Sequence, residues 1–242
     1  MRTAAALIIG NELLSGKTAD ANLVVLARAL RVLGVKLARV VMVLDELDVI
    51  AEEVRLLAGS HDWLFTSGGV GPTHDDVTIA SVARAFGVNV VTAPVMEQLL
   101  RDYYGDRVTE GHLLMARVPE GARLASSVET PWPTVVMGNV WVLPGIPEIF
   151  RLKIPLIQAE LAGAAPFISF SVFTRLDEGQ LKPLLDRVVS EYDEVDIGSY
   201  PKWGDADHRT KLTFDGLDEP RVRAARDAFV AGLPAGALIR LE

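Results

Sequence analysis

Three short apolar runs, Ala4 to Ile9, Val35 to Leu44 and Trp63 to Thr66, alternate with stretches whose apolar residues recur at helical spacing. The first such stretch carries Leu23, Leu26, Ala27, Leu30 and Leu33 before Gly34, the second Leu47, Ile50, Val54 and Leu57 before Gly59. Strands that follow one another through helices and short connections pair in parallel, and a parallel sheet must be covered on both faces. A third helix is expected from about Asp75 to Phe86, ending at Gly87. A strand-like stretch from Val135 to Leu143 leads into a helix from Pro147 to Leu161, interrupted or kinked at Pro155. The pattern predicts an α/β domain, a mostly parallel sheet with helices on both faces.

Beyond Gly163-Ala164-Ala165-Pro166 the pattern changes. Strand (Phe167 to Thr174), helix (Leu181 to Tyr192), strand (Val195 to Tyr200), strand (Arg209 to Phe214), helix (Glu219 to Ala231) and strand (Ala237 to Leu241) follow in turn. That order predicts a small α+β domain with its own sheet. The expected division is therefore residues 1–163 and 164–242, and 242 residues suffice to bury a core in each.

Charge and composition limit the partners. Against 24 Lys and Arg stand 32 Asp and Glu, a net charge of −8 that repels a phosphate backbone, so nucleic acid is not expected as a partner. An anionic small ligand remains compatible, because backbone N–H groups or a cation neutralise it locally. The absence of cysteine excludes disulfides, thiolate metal sites and cysteine nucleophiles. Met1-Arg2-Thr3 runs into an apolar stretch too brief for a signal segment or a membrane span, so the chain is expected to be cytoplasmic with no membrane partner.

In open α/β sheets ligands bind beyond the carboxyl ends of the strands. Those ends carry Gly10-Asn11-Glu12, Asp45-Glu46, Ser67 to Asp76 and Pro144-Gly145-Ile146-Pro147-Glu148, polar clusters expected to converge on one rim. The loop Ser67-Gly68-Gly69-Val70-Gly71-Pro72-Thr73-His74-Asp75-Asp76 is the richest. Its glycines leave the backbone open to a ligand, and Thr73 is placed to cap the following helix, whose amide end favours an anion such as phosphate. Asp75 and Asp76 would occupy the first turn, where carboxylates suit the helix dipole and supply oxygen ligands to a hard cation. Glycines for a tight turn and acids for a helix start would explain either feature alone, but not their concentration in one connection. The loop is neither a Walker A sequence nor a dinucleotide-binding G-x-G-x-x-G.

Read together, Ser67 to Asp76 and the following Val77-Thr78 resemble the signature of the molybdopterin-binding (MoaB/Mog-type) superfamily. The likeness is to its CinA-type competence/damage-inducible branch and to the molybdopterin-binding-like domain of FAD synthases. Ile9-Gly10-Asn11-Glu12-Leu13-Leu14-Ser15-Gly16, Asp20-Ala21-Asn22 and Leu143 to Glu148 carry it further. Gly198-Ser199-Tyr200-Pro201-Lys202-Trp203-Gly204 points to the FAD-synthase-like branch. The resemblance implies a MoaB/Mog-like α/β domain, a small KH-like second domain, and a homodimer or other homo-oligomer.

It also implies a phosphorylated nucleotide or pterin ligand and a divalent metal (Mg²⁺, Mn²⁺ or Co²⁺), with K⁺ as a further candidate. The activity it suggests is metal-dependent splitting of a pyrophosphate in ADP-ribose, FAD or a related dinucleotide. Molybdopterin adenylation and non-catalytic ligand binding are the alternatives. On the matching positions, Asp76, Asp45 and Glu12 are candidate catalytic residues, and Asp76, Asp45 and Asp75 candidate metal ligands. Gly10, Asn22, Ser67, Gly68, Gly69, Gly71, Pro72, Thr73, His74, Pro144 and Gly145 are candidate ligand-binding residues. Asp20 either joins the first-loop pattern or caps the first long helix. Asn11 and Ala21 stand where many relatives carry Asp and Thr, which removes a charge and a hydroxyl.

In the second domain, Tyr200, Lys202, Arg209 and Lys211 could reach a base or phosphates, whereas Trp203 is expected to cover that domain's own core. Residues 167–242 contain no G-x-x-G loop to clamp an RNA backbone.

Overall fold

The computed structural model describes residues 1–128, 130–163, 165–204 and 207–242. Ala164, the expected first residue of the second domain, lies outside them. The chain divides into two compact units, Met1–Ala164 and Ala165–Glu242.

In the first unit β1 (Arg2–Ile9), the short helix α1 (Asn11–Leu14), α2 (Asn22–Val32), β2 (Val35–Val43), α3 (Leu47–Ser60), β3 (Trp63–Ser67) and α4 (Thr78–Phe86) alternate. Strand β1 pairs in parallel with β2 on one side and β3 on the other. Alternate residues of β1 enter different cores: Ala5, Leu7 and Ile9 pack with Ile50, Val54 and Leu57 of α3, and Ala4, Ala6 and Ile8 with Leu26 and Leu30 of α2. All six are at most 2% exposed, as a strand covered on both faces requires.

Next come β4 (Val90–Thr92), α5 (Pro94–Tyr104), α6 (Glu110–Leu113), β5 (Arg117–Pro119) and β6 (Arg123–Ala125), with β4 and β5 forming a small antiparallel pair. The run Val135 to Leu143 is not one strand. It is a hairpin of β7 (Thr134–Met137) and β8 (Val140–Leu143), reversed at Gly138-Asn139, and the Asn139 side chain donates to the carbonyls of Ala58 and His61, both at 3.0 Å. The sheet order is β2-β1-β3-β8-β7-β6, parallel from β2 through β8 and antiparallel at β7 and β6. Helix α7 (Pro147–Leu161) begins with proline at its first position and runs through Pro155 without interruption.

The second unit has β9 (Ile168–Thr174), α8 (Glu178–Glu191), β10 (Asp196–Pro201), β11 (Thr210–Gly216), α9 (Glu219–Ala231) and β12 (Leu238–Leu241). Its four strands form an antiparallel sheet ordered β10-β11-β9-β12. Asp177 and Asp218 cap the two helices by accepting from the Gln180 and Arg221 amides. Val172, Leu212, Phe214 and Phe229 centre a core of its own. Trp203 does not cover that core but stands 98% exposed. Among the described residues no helix is long and apolar enough to cross a membrane.

Candidate functional site

The carboxyl ends of β1, β2, β3 and β8 open on one cavity of about 1230 Å³ in the first unit. Gly10, Glu12, Asp45, Gly68, Gly69, Gly71, Pro72, Thr73, Asp75, Asp76, Pro144 and Gly145 all line it. Its size exceeds that of most small-ligand pockets and accommodates a dinucleotide.

The glycine loop is fixed mainly by contacts within the protein. Gly68 has φ +110°, and a Cβ there would lie 2.1 Å from the carbonyl oxygen of Ile9, so only glycine fits. At Gly71 a Cβ would lie 2.6 Å from the Asp76 carboxylate. That carboxylate accepts from the Thr73 amide at 2.8 Å and from the Thr73 hydroxyl, while the Asp76 amide donates back to the Thr73 carbonyl at 3.2 Å. The closed turn is complete before α4 begins at Thr78. Thr73 therefore does not cap that helix, and Asp75 and Asp76 precede its first turn rather than occupying it. A side chain that closes its own turn competes with helix continuation, which explains the later start. Buried Thr78 then donates its hydroxyl to the Gly68 carbonyl at 2.8 Å, fastening helix to loop.

Asn22 and Ser67 lie beneath the rim and do not line the cavity. The Asn22 side-chain amide donates to Ser67 Oγ at 3.0 Å and to the Gly145 carbonyl at 2.8 Å, tying three rim segments together. Asp20 accepts from the Leu23 amide at 2.8 Å, a capping bond at the start of α2. His74 is the outlier: its side chain is 97% exposed, outside the cavity lining, with Asp75 3.9 Å away.

The rim's charge is concentrated in Glu12, Asp45, Asp75 and Asp76. Burial pushes the Asp45 carboxyl up from its ordinary value, the Asn11 amide bonded to it at 2.8 Å opposes this, and the negative charges of Glu12, Asp75 and Asp76 push it further up. Among the described residues the backbone amides of Gly69, Val70 and Gly71 have no acceptor, so donors for an anion lie beside the acids. No three acid or histidine side chains among the described residues converge into a group able to hold a metal ion. The four carboxylates thus fit a cation in charge and donor chemistry, but a preformed coordination shell is absent among those residues.

Away from the rim the cavity is apolar and aromatic. Met96, Leu100 and Tyr103 of α5 form part of its lining, as do Pro131, Trp132 and Pro133 ahead of β7 and Lys153 of α7. Sequence reasoning passed over this wall, although Met96, Leu99, Leu100 and Tyr103 stand at helical spacing behind Pro94. Lys153 carried a clearer signal, a lone cation on the apolar stripe of Phe150, Ile157 and Leu161.

The fold and rim define an α/β domain with one large cavity, lined in part by carboxylates and glycine-loop backbone and in part by apolar and aromatic side chains. Residues 5–159 match the model of a probable molybdopterin binding domain, and the chain belongs to that family. Residues 166–242 match the model of the middle domain of FAD synthase. A probable FAD synthase of Caenorhabditis briggsae is 31% identical over 94% of this chain, which covers 49% of that protein. A protein of Archaeoglobus fulgidus is 30% identical over 91% of this chain and 93% of its own length. A CinA-like protein of Desulfosudis oleivorans is 37% identical over 59% of this chain and 36% of its own length. The chain spans about half the length of the curated FAD synthases it matches. Among solved structures, CinA of Thermoplasma acidophilum superposes with a TM-score of 0.61 at 27% identity, over 66% of this chain and 98% of its own.

Proposed function

We propose that this chain is a metal-assisted nucleotide pyrophosphatase, splitting ADP-ribose, FAD or a related dinucleotide into AMP and a phosphorylated product. The observation that carries the reading is that four carboxylates and the glycine loop, whose Gly69 to Gly71 amides have no acceptor among the described residues, line one large cavity. FAD synthase and CinA-like relatives support a nucleotide-related role. In hydrolysis a water oxygen bonds to one phosphorus, the bridging P–O bond breaks, and the water's proton passes to the carboxylate cluster. The amides stabilise the charge that builds on the phosphoryl oxygens, and Glu12 orients the water. Asp76, Asp45 and Asp75 would hold a divalent cation, Mg²⁺, Mn²⁺ or Co²⁺, whose contribution when bound is to neutralise the phosphates. K⁺ is a further candidate. The same proposal takes the chain to be cytoplasmic and to assemble as a homodimer or larger homo-oligomer.

The test is AMP release from FAD and from ADP-ribose with each cation and with EDTA. We expect metal-dependent AMP from at least one substrate and a loss of 100-fold or more in Asp76→Asn, an order of magnitude consistent with removing one charge-stabilising group. No AMP under any condition would sink the hydrolase reading. A second reading is ligand binding without turnover, which fits the absence, among the described residues, of a preformed metal group. It predicts that ADP-ribose binds wild type and Asp76→Asn alike, without AMP release. Transfer of AMP from ATP to molybdopterin would instead favour adenylation.

A further inference from the structure

Lys153 is an expensive residue in an unusual place. It lines the cavity yet is only 3% exposed, on the buried stripe of α7 between Phe150 and Ile157. Its Nζ donates to the Trp132 carbonyl, and among the described residues the other two N–H groups have no acceptor. Burial lowers its pKa from 10.5 to about 8, so it remains largely protonated at neutral pH. Packing alone would be served better by leucine or methionine, because a buried ammonium with unfilled donors costs stability. The cavity it lines has flat or apolar surfaces, among them Trp132, whose carbonyl the lysine bonds, and Tyr103, which is 75% exposed. A slot with aromatic surfaces and two outstanding hydrogen-bond donors suits a planar ring that carries carbonyl oxygens.

We propose that the apolar chamber is a ring subsite, in which Lys153 Nζ donates to a ring carbonyl of a flavin- or pterin-type heterocycle and so determines selectivity for such ligands over ADP-ribose. This rests on the reading of the rim as the phosphate end of the same cavity. Adenine presents ring nitrogens but no carbonyl, and the terminal ribose of ADP-ribose is not a planar ring, so neither offers the lysine a carbonyl oxygen on a flat ring.

Riboflavin and neopterin, which present the ring without a phosphate, test the subsite by titration of their own fluorescence on the full chain. ADP-ribose binding, measured by calorimetry, monitors the phosphate end. In Lys153→Met we expect riboflavin or neopterin to bind at least tenfold more weakly, the size of one charge-assisted hydrogen bond, with ADP-ribose affinity unchanged. Lys153→Gln, which keeps an N–H donor, is expected to recover part of the loss. Which of the two probes binds wild type identifies the ring. Equal losses for ring probe and ADP-ribose, an unchanged ring affinity in Lys153→Met, or no binding of either ring by wild type would each overturn the proposal. Lysine-dependent ring binding without AMP release from FAD would leave the subsite standing and remove the hydrolase reading.

Discussion

Asp45 shows how the site works against the fold that carries it. Its carboxyl is pushed above the ordinary value of 3.8 by burial and then by its acidic neighbours, so the native chain holds that proton more tightly than the unfolded chain does. Stability from this group is therefore present at low pH and lost as pH rises through the raised value. Asp45→Asn keeps an oxygen for the Asn11 amide and removes the charge. In EDTA it is expected to melt roughly 2–4 °C above wild type at pH 7, with the gap closing below pH 4, when measured by circular dichroism. AMP release is expected to fall in the same variant, a stability gain that accompanies lost function.

At the scale of elements, the junction between the glycine loop and α4 decides whether the rim keeps its shape. Thr78→Val preserves volume but removes the buried hydroxyl bonded to Gly68. It is expected to cost about 1–2 kcal/mol in urea denaturation and to weaken ADP-ribose binding, because the loop loses its fastening. The sequence made β1, β2, β3 and the rim loops readable, since buried strands write themselves as apolar runs and rim loops as glycine with acids. It misplaced the start of α4, because Asp76 has the composition of a helix-start residue and spends its carboxylate on Thr73. It merged β7 and β8, because both are apolar and the reversal needs only Gly138-Asn139. The segment from Val88 to Pro133 went unread: apart from α5 its elements are only three or four residues long, too short for a strand or helix period to show.

On the scale of the molecule, each unit carries its own buried apolar cluster, with Phe214 and Phe229 5.5 Å apart at the heart of the second. A fragment of residues 165–242 is therefore expected to fold alone, giving dispersed amide resonances and a cooperative melt. A broad, non-cooperative transition would show that the second unit needs the first. Within the first unit, the reversed strand β7 has a further consequence. Because it runs against β8, the segment entering β7, not the one leaving it, reaches the rim, and it brings Trp132 into the cavity lining. The acids and amides hang from the parallel strands, whereas Tyr103 and Trp132 come from connections outside that ladder. Mutational drift can thus reshape what the chamber admits while leaving the phosphate machinery intact, so one scaffold can diversify its ligands without reinventing its chemistry.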